Sequence, residues 1–237
     1  EHSGYSPTYL KAIHNQLSAI FNHAVKYYGL PQNPCHKCGS IGSDTRHTVN
    51  FWTKDAFDLF IGSIQDNPVS YTAFLTLYYT GMRIGELLAL TLDDLDTKGK
   101  SIHITKSLQR IHREDIITPP KTPKSKRDIS IPDFLCTQLN KYITQNKLES
   151  GESRLFSFTK YFLHKEIRRG CALSGVPLIR IHDIRHSHAS LLIELGFSPL
   201  LIAERLGHEK VETTLNIYSH LYPHKQEAIS QKLDEIF

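Results

Sequence analysis

Six side chains spread along the chain are of the types needed for one reaction on a phosphate ester. They are Arg83, Lys121, His182, Arg185, His208 and Tyr218. Two guanidinium groups can grip the non-bridging oxygens of a phosphodiester and offset the charge that grows in the transition state. A tyrosine hydroxyl has a pKa of about 10, so it needs a proton acceptor or strongly positive surroundings to attack at neutral pH. The set predicts phosphoryl transfer without a metal ion.

The sequence around the two arginines indicates how each is held. Arg83 lies in TGMRIGE, where it follows a glycine and starts a helix after the most apolar segment of the chain. Glu86, one helical turn later, can fix its orientation. His182 and Arg185 in HDIR are three residues apart, so both project from one face of a helix. An ordinary surface ion pair and a solvated helix start are the alternative interpretations of these two motifs.

Two proton transfers are also needed, one from the tyrosine and one to the departing 5′ oxygen. An imidazole such as that of His182 suits the first transfer, or can fix a phosphate oxygen instead. A lysine on a hairpin tip suits the second, and the proline- and lysine-rich turn PPKTPKSKR offers Lys121 as first choice and Lys124 as second. His208 follows a glycine, and Tyr218 comes ten residues later.

In this order and at these spacings, the six residues resemble those of the tyrosine recombinases, in their phage and conjugative-transposon integrase branch. The motifs are TGMRIGE, PPKTPKSKRDISIP, HDIRHSHAS, LGH and TTLNIYSH. The resemblance covers residues 48–237 as the catalytic domain, preceded by a linker at 35–47. Residues 1–34 resemble the C-terminal helix of a core-binding domain, which implies that the chain is the C-terminal portion of a longer protein.

The resemblance implies a type IB mechanism, in which DNA strands are cut and rejoined without a metal ion, ATP or another cofactor. Tyr218 would attack the scissile phosphate, leaving a 3′-phosphotyrosine and a free 5′ hydroxyl. A 5′ hydroxyl from a partner duplex would then reverse the attack. Arg83 and Arg185 would activate the phosphate, and Lys121 would be the general acid.

The resemblance also assigns supporting roles. His182 would be a base or a phosphate ligand, and His208 would donate a hydrogen bond to the phosphate. Glu86 and Asp183 would support these groups from behind. The biological outcome implied is the integration or excision of a mobile element, in the bacterial cytoplasm.

The partner implied is double-stranded DNA, at the element ends and the target site. Basic residues expected to contact it are Lys54, Lys124, Lys126, Arg127, Arg168 and Arg169. The family acts as a tetramer on two duplexes, and the amphipathic stretch 223–237 is expected to dock on a neighbouring subunit.

Hydrophobic periodicity predicts the elements that must position these residues. Helices are expected at 6–29, from 53, and at 70–80, 83–90, 133–147, 159–174, 182–195, 198–206, 211–217 and 223–236. SIHITKS, DIIT and RDISIP alternate with a period of two, which predicts one antiparallel sheet of about three strands. The fold class is therefore mainly α with a small antiparallel sheet inserted.

Composition limits the class of protein. The 237 residues are 40% hydrophobic and 22% charged with a net charge of +4, which suits a globular protein and permits a nucleic-acid partner. No apolar run approaches the ~20 residues that span a bilayer, so a membrane protein is excluded. Cys35 and Cys38 form a CxxC pair without a second pair at zinc spacing, and reduced thiols are expected.

Three alternative functions remain at this stage. A DNA-binding module of the same fold that does not cleave would need only the basic residues. A metal-dependent phosphodiesterase is suggested by the 14 histidines, but His186 and His188 are two residues apart and would diverge on a helix. A topoisomerase or telomere-resolving relative would use the same chemistry for another outcome.

Overall fold

The computed structural model describes residues 4–43, 50–120, 122–149, 151, 153–221 and 234 of the chain. The chain divides into two compact units, Glu1–Thr48 and Val49–Phe237. The predicted fold class, mainly α with small antiparallel sheets, is confirmed. No helix among the described residues is long and apolar enough to cross a membrane.

The first unit contains one long helix, α1 (Pro7–Tyr27), and one helical turn, α2 (Cys35–Cys38). The Ser6 side chain accepts a hydrogen bond from the backbone of the first turn of α1, as its predicted capping role requires. No residue of α1 is buried. The turn α2 lies within the segment that we predicted to be a linker, and both of its cysteines are free.

The second unit is built from eight helices among the described residues. They are α3 (Lys54–Gly62), α4 (Pro68–Thr80), α5 (Ile84–Ala89), α6 (Asp133–Gln145), α7 (Lys160–Ser174), α8 (Ile181–Glu194), α9 (Pro199–Leu206) and α10 (Val211–Tyr218). Helix α4 is buried on almost every side and packs against α6 and α8, as its uniformly apolar sequence predicts. The predicted helix at 223–236 falls almost wholly outside the described residues.

The strands form two separate sheets, and the prediction of a single three-stranded sheet was wrong. Strands β1 (Leu95–Asp96), β2 (Ser101–Ile104) and β5 (Arg127–Ser130) form an antiparallel sheet in the order β1-β2-β5. Strands β3 (Ser107–Ile111) and β4 (Glu114–Thr118) form a second, two-stranded sheet.

The break between β2 and β3 falls inside SIHITKS, which we predicted to be one strand. The side chains of Thr105 and Lys106 turn to Asp94, with Thr105 Oγ1 at 3.2 Å and Lys106 Nζ at 2.7 Å from its carboxylate. Asp94 is buried, so these contacts satisfy a charge that would be costly without partners. The alternation of polar and apolar residues in SIHITKS therefore continues past Ile104, although the backbone leaves the first sheet there.

Two groups of buried apolar residues hold the second unit together. The larger one surrounds α4, where the ring of Phe57 stacks on that of Tyr78 at 3.6 Å between centroids. The smaller one joins α8, α9 and α10 and consists of Ala189, Ile193, Ile202, Leu206 and Tyr218. The predicted nucleophile is therefore part of a small core of its own.

Candidate active site

A buried carboxylate, that of Glu86, orients Arg83 at the start of α5. Glu86 Oε1 lies 2.8 Å from Nη1 of Arg83, and Oε2 accepts the Arg83 backbone N–H, also at 2.8 Å. On its other side Oε2 lies 2.9 Å from Nη2 of Arg127. Burial raises the pKa of Glu86, but the guanidinium of Arg127 and that of Arg83 outweigh this and hold it below its usual range. The contact that the predicted support of Arg83 by Glu86 requires is present in the structure.

Arg127, which we predicted to contact DNA, is held largely out of solvent by this arrangement. Its side chain is only 6% exposed, and its Nε donates to the carbonyl of Arg205 at 2.8 Å. Glu86 binds the other end of the guanidinium, and the carbonyl of Ser125 accepts from Nη1 at 2.9 Å, so most of its donors are already paired. The local sequence did not indicate this burial, because the partner, Glu86, lies 41 residues earlier in the chain.

Replacing Glu86 by glutamine is expected to destabilise the second unit by roughly 3 kcal/mol, because Arg127 would remain buried without a counter-charge. Urea denaturation at neutral pH measures this free energy. The control is Asp58→Asn, which breaks the exposed pair of Asp58 with Lys54 and should cost less than about 1 kcal/mol. Equal costs for the two variants would contradict the supporting role of Glu86.

Arg185 is buried and joins the ends of two helices. Its Nη1 donates to the carbonyl of Gly81, which ends α4, at 2.8 Å, and its Nη2 donates to that of Leu206, the last residue of α9, at 2.5 Å. Gly81 has a φ of +65°, and a side chain there would collide with the ring of His188, so glycine is required. Burial, then the nearby charge of Arg83, lowers the pKa of Arg185. An anion beside this guanidinium would stabilise its charged form and raise its pKa again.

Arg83, Glu86 and His208 line one cleft of about 650 Å³. His208 is placed there by Gly207, which ends α9 in a left-handed conformation. The Nδ1 of His208 lies 2.8 Å from the hydroxyl of Thr214 on α10, which leaves Nε2 for a ligand in the cleft. Burial, then Arg185 and Arg83, lowers the pKa of His208 to about 4, so the ring is neutral at pH 7.

Lys121, the predicted general acid, lies outside the described residues. Its neighbours Pro119, Pro120 and Thr122 line the same cleft as Arg83 and His208. Lys124, the second choice, is exposed, and its Nζ donates to the backbone carbonyl of Glu209 at 3.0 Å.

Tyr218 is only 1% exposed, and its hydroxyl contacts a histidine that is not among the predicted site residues. The Nδ1 of His186 lies 2.5 Å from Tyr218 Oη. Burial raises the pKa of Tyr218, so the hydroxyl is protonated in this arrangement. His186 follows Arg185 directly and lies one helical turn after His182, a spacing that could have indicated it.

His182 and Asp183 lie on the first turn of α8. His182 is exposed, and its ring meets that of His186 edge-on at 5.2 Å between centroids. Asp183 is buried and caps the helix by accepting from the backbone N–H of Arg180 at 3.0 Å and from its guanidinium at 2.8 Å. The support that we predicted from Asp183 is therefore given to the helix that carries His182, Arg185 and His186.

The remaining basic residues are not among those that line the cleft. Lys54 pairs with Asp58 on α3, and Arg169 on α7 bonds to Asp66 and Glu166. Arg168 and Lys126 are exposed. None of these side chains lines the cleft.

In the part of the chain that the structure describes, no group of three or more histidine, cysteine or acidic residues is arranged to hold a metal ion.

The buried histidines make stability depend on pH. His188 is 2% exposed, its Nε2 accepts from Nε of Arg205 at 3.0 Å, and burial, then Arg205, lowers its pKa to about 3. In the unfolded chain a histidine titrates at about 6.5. Below that pH only the unfolded state binds the proton, so the free energy of unfolding falls by up to about 1.4 kcal/mol per pH unit for this histidine.

His188→Gln is expected to reduce this pH dependence by about one proton, because the amide oxygen can still accept from Arg205 but does not titrate. Urea denaturation between pH 7 and pH 5 measures the slope. The same substitution at the exposed His164 should leave the slope nearly unchanged. An unchanged slope in His188→Gln would show that His188 is protonated in the native state.

Comparison with known proteins gives the family. The model of the phage integrase family matches residues 53–225. The ICEBs1 integrase of Bacillus subtilis (strain 168) is 34% identical over 248 residues, a match that covers 99% of this chain and 67% of that protein. The integrase of Staphylococcus phage L54a is 31% identical, with 98% of this chain and 75% of the relative covered.

A solved structure shares the fold. The Tn1549 transposon integrase, determined in complex with circular intermediate DNA, superposes with a TM-score of 0.78 at 21% sequence identity, covering 99% of this chain and 81% of the other. The family model spans most of the second unit, where Arg83, His182, Arg185, His208 and Tyr218 lie. The chain belongs to the phage integrase family, whose members are tyrosine recombinases.

Proposed function

We propose that this chain cuts and rejoins DNA strands at specific sites through a 3′-phosphotyrosine at Tyr218, and thereby integrates or excises a mobile element. The observation that carries the proposal is the charge arrangement around the cleft. Arg83 lines the cleft, and the buried guanidinium of Arg185 donates to two neutral backbone carbonyls, those of Gly81 and Leu206. A phosphodiester supplies the negative charge that this pair of guanidinium groups needs.

Each remaining group has a role in that reaction. Tyr218 Oη attacks phosphorus, and the bond from phosphorus to the 5′ oxygen breaks. Neutral His208 donates a hydrogen bond from Nε2 to a non-bridging oxygen, with the Thr214 hydroxyl donating to its Nδ1. Lys121 protonates the leaving oxygen, and the exposed His182 binds the phosphate. Glu86 keeps Arg83 in the orientation that the transition state requires.

The substrate is double-stranded DNA at element ends and target site, in the bacterial cytoplasm. Integrases of a Bacillus element and a staphylococcal phage are relatives of this chain, and the Tn1549 integrase binds DNA of a circular intermediate. These likenesses support a mobile element as the substrate. A tetramer on two duplexes, with residues 223–237 docked on a neighbour, belongs to the same proposal; that segment lies almost wholly outside the described residues.

A covalent-trapping assay tests the proposed function. The protein is incubated with nicked duplexes made from the ends of the element that carries its gene, with EDTA present, and is run on a denaturing gel. A protein–DNA band should survive denaturation, and mass spectrometry should place the nucleotide on the peptide that contains Tyr218. Binding without such a band or any strand cleavage would support the non-cleaving DNA-binding module, and strand cleavage that EDTA abolishes would support a metal-dependent phosphodiesterase.

A further inference from the structure

His186 is the group that contacts the reacting atom of the proposed nucleophile. It lies on α8, and its Nδ1 is 2.5 Å from Tyr218 Oη at the end of α10. The two rings meet edge-on at 5.6 Å between centroids. His182, which we predicted to be a base or a phosphate ligand, is exposed, and its ring meets that of His186 edge-on.

We propose that His186 accepts the proton of Tyr218 as its hydroxyl oxygen attacks phosphorus, an inference that rests on the proposed function. In this step the bond from Oη to phosphorus forms and the bond from phosphorus to the 5′ oxygen breaks. The proton of Oη passes to Nδ1 of His186, and the leaving oxygen takes a proton from Lys121. When the strand is rejoined, His186 returns its proton to Oη. His182 is then free to act as a phosphate ligand.

The protonation state of the pair suits this transfer. Burial, then the neighbouring His182, lowers the pKa of His186 to about 4, so its ring is neutral at pH 7 and Nδ1 can accept. The nearby Arg185 and Arg180 lower this pKa further, while Asp183 raises it. Among the described residues outside α8, Tyr218 contacts His186 and has its own pKa raised by burial, and His208 lies close enough to interact with His186 electrostatically.

These charges connect the transfer to DNA. A phosphate beside Arg185 cancels part of the positive field that keeps His186 a weak base, so its basicity increases when the scissile phosphate arrives. Without DNA the tyrosine stays protonated and buried. His186 therefore activates Tyr218 only when the scissile phosphate is bound.

Two variants separate proton acceptance from positioning. His186→Asn places an amide near the Nδ1 position, where it can bond to Tyr218 but cannot hold a proton, and His186→Ala removes both functions. Loss of a general base is expected to reduce the rate of covalent attachment about 10²-fold in both variants. The control His164→Asn makes the same change at an exposed position of α7.

A duplex with a different leaving group distinguishes the role of the base, His186, from that of the acid, Lys121. In a duplex with sulfur at the bridging 5′ position, the departing thiolate needs no proton. Lys121→Ala should therefore recover on this duplex, whereas both His186 variants should stay about 10²-fold slow. Recovery of His186→Asn on the sulfur duplex, or attachment by it within threefold of the unchanged protein on the oxygen duplex, would overturn the proposal.

The unchanged protein supplies a test that does not depend on how the variants fold. On the sulfur duplex its rate should rise with pH between about pH 4 and pH 8 as His186 loses its proton, because the pKa of His186 is about 4 without DNA and rises when a phosphate offsets the charge of Arg185. A rate independent of pH over that range would overturn the role of His186. If the unchanged protein forms no covalent product at any pH, the proposed function fails instead.

Discussion

Tyr218→Phe is expected to abolish covalent attachment to DNA while leaving DNA affinity within about twofold. The substitution removes one oxygen atom, and that oxygen is the proposed nucleophile. Its loss leaves Nδ1 of the half-buried His186 without its partner, which should cost no more than about 1 kcal/mol of stability. The denaturing gel measures attachment, and fluorescence anisotropy with the same duplex measures affinity.

Tyr161→Phe is the matched control, because it removes the same atom from an exposed tyrosine on α7. Attachment by this variant should equal that of the unchanged protein. Residual attachment by Tyr218→Phe would mean that another residue is the nucleophile. A loss of DNA affinity as large as the loss of attachment would mean that Tyr218 acts in binding.

Arg185→Lys is expected to slow attachment about 10²- to 10³-fold, although the positive charge is kept. A lysine ammonium cannot donate to the carbonyls of Gly81 and Leu206 and still present two parallel N–H groups to a phosphate. Loss of a single preorganised donor to a transition state has an effect of about this size. The weakened contacts to two buried carbonyls should also reduce stability by about 1–3 kcal/mol.

The two effects of Arg185→Lys can be measured separately. The rate is taken at saturating DNA and at a temperature where circular dichroism shows the variant folded, so that unfolding does not contribute. Arg168→Lys, the same change at an exposed position of α7, should alter neither quantity. A normal rate in Arg185→Lys would mean that charge alone is required at this position.

The local sequence predicts most helices because their ends are encoded locally. Ser6 and Thr53 cap α1 and α3 through their own side chains, and Gly81 ends α4 in a left-handed turn. The start of α4 is two residues earlier than predicted, because Asn67 caps it and Pro68 occupies the first turn. These are interactions within a few residues, which a sequence displays directly.

Contacts between distant residues could not be predicted in this way. The sheet ends after Ile104 because Asp94 bonds to the next two side chains, and Arg127 is withdrawn from solvent because Glu86 binds it. A run of basic residues gives no indication of which one is paired. The contact between His186 and Tyr218 also depends on how α10 packs against α8.

Arg185 has a consequence for thermodynamics as well as for chemistry. It holds together the ends of α4 and α9 and is also the proposed receptor of the scissile phosphate. Folding of this unit and occupation of the cleft are therefore linked equilibria. A phosphodiester ligand that binds only the native arrangement raises the melting temperature with its concentration. By the same reciprocity, any change that separates α4 from α9 weakens DNA binding, however far it lies from the cleft.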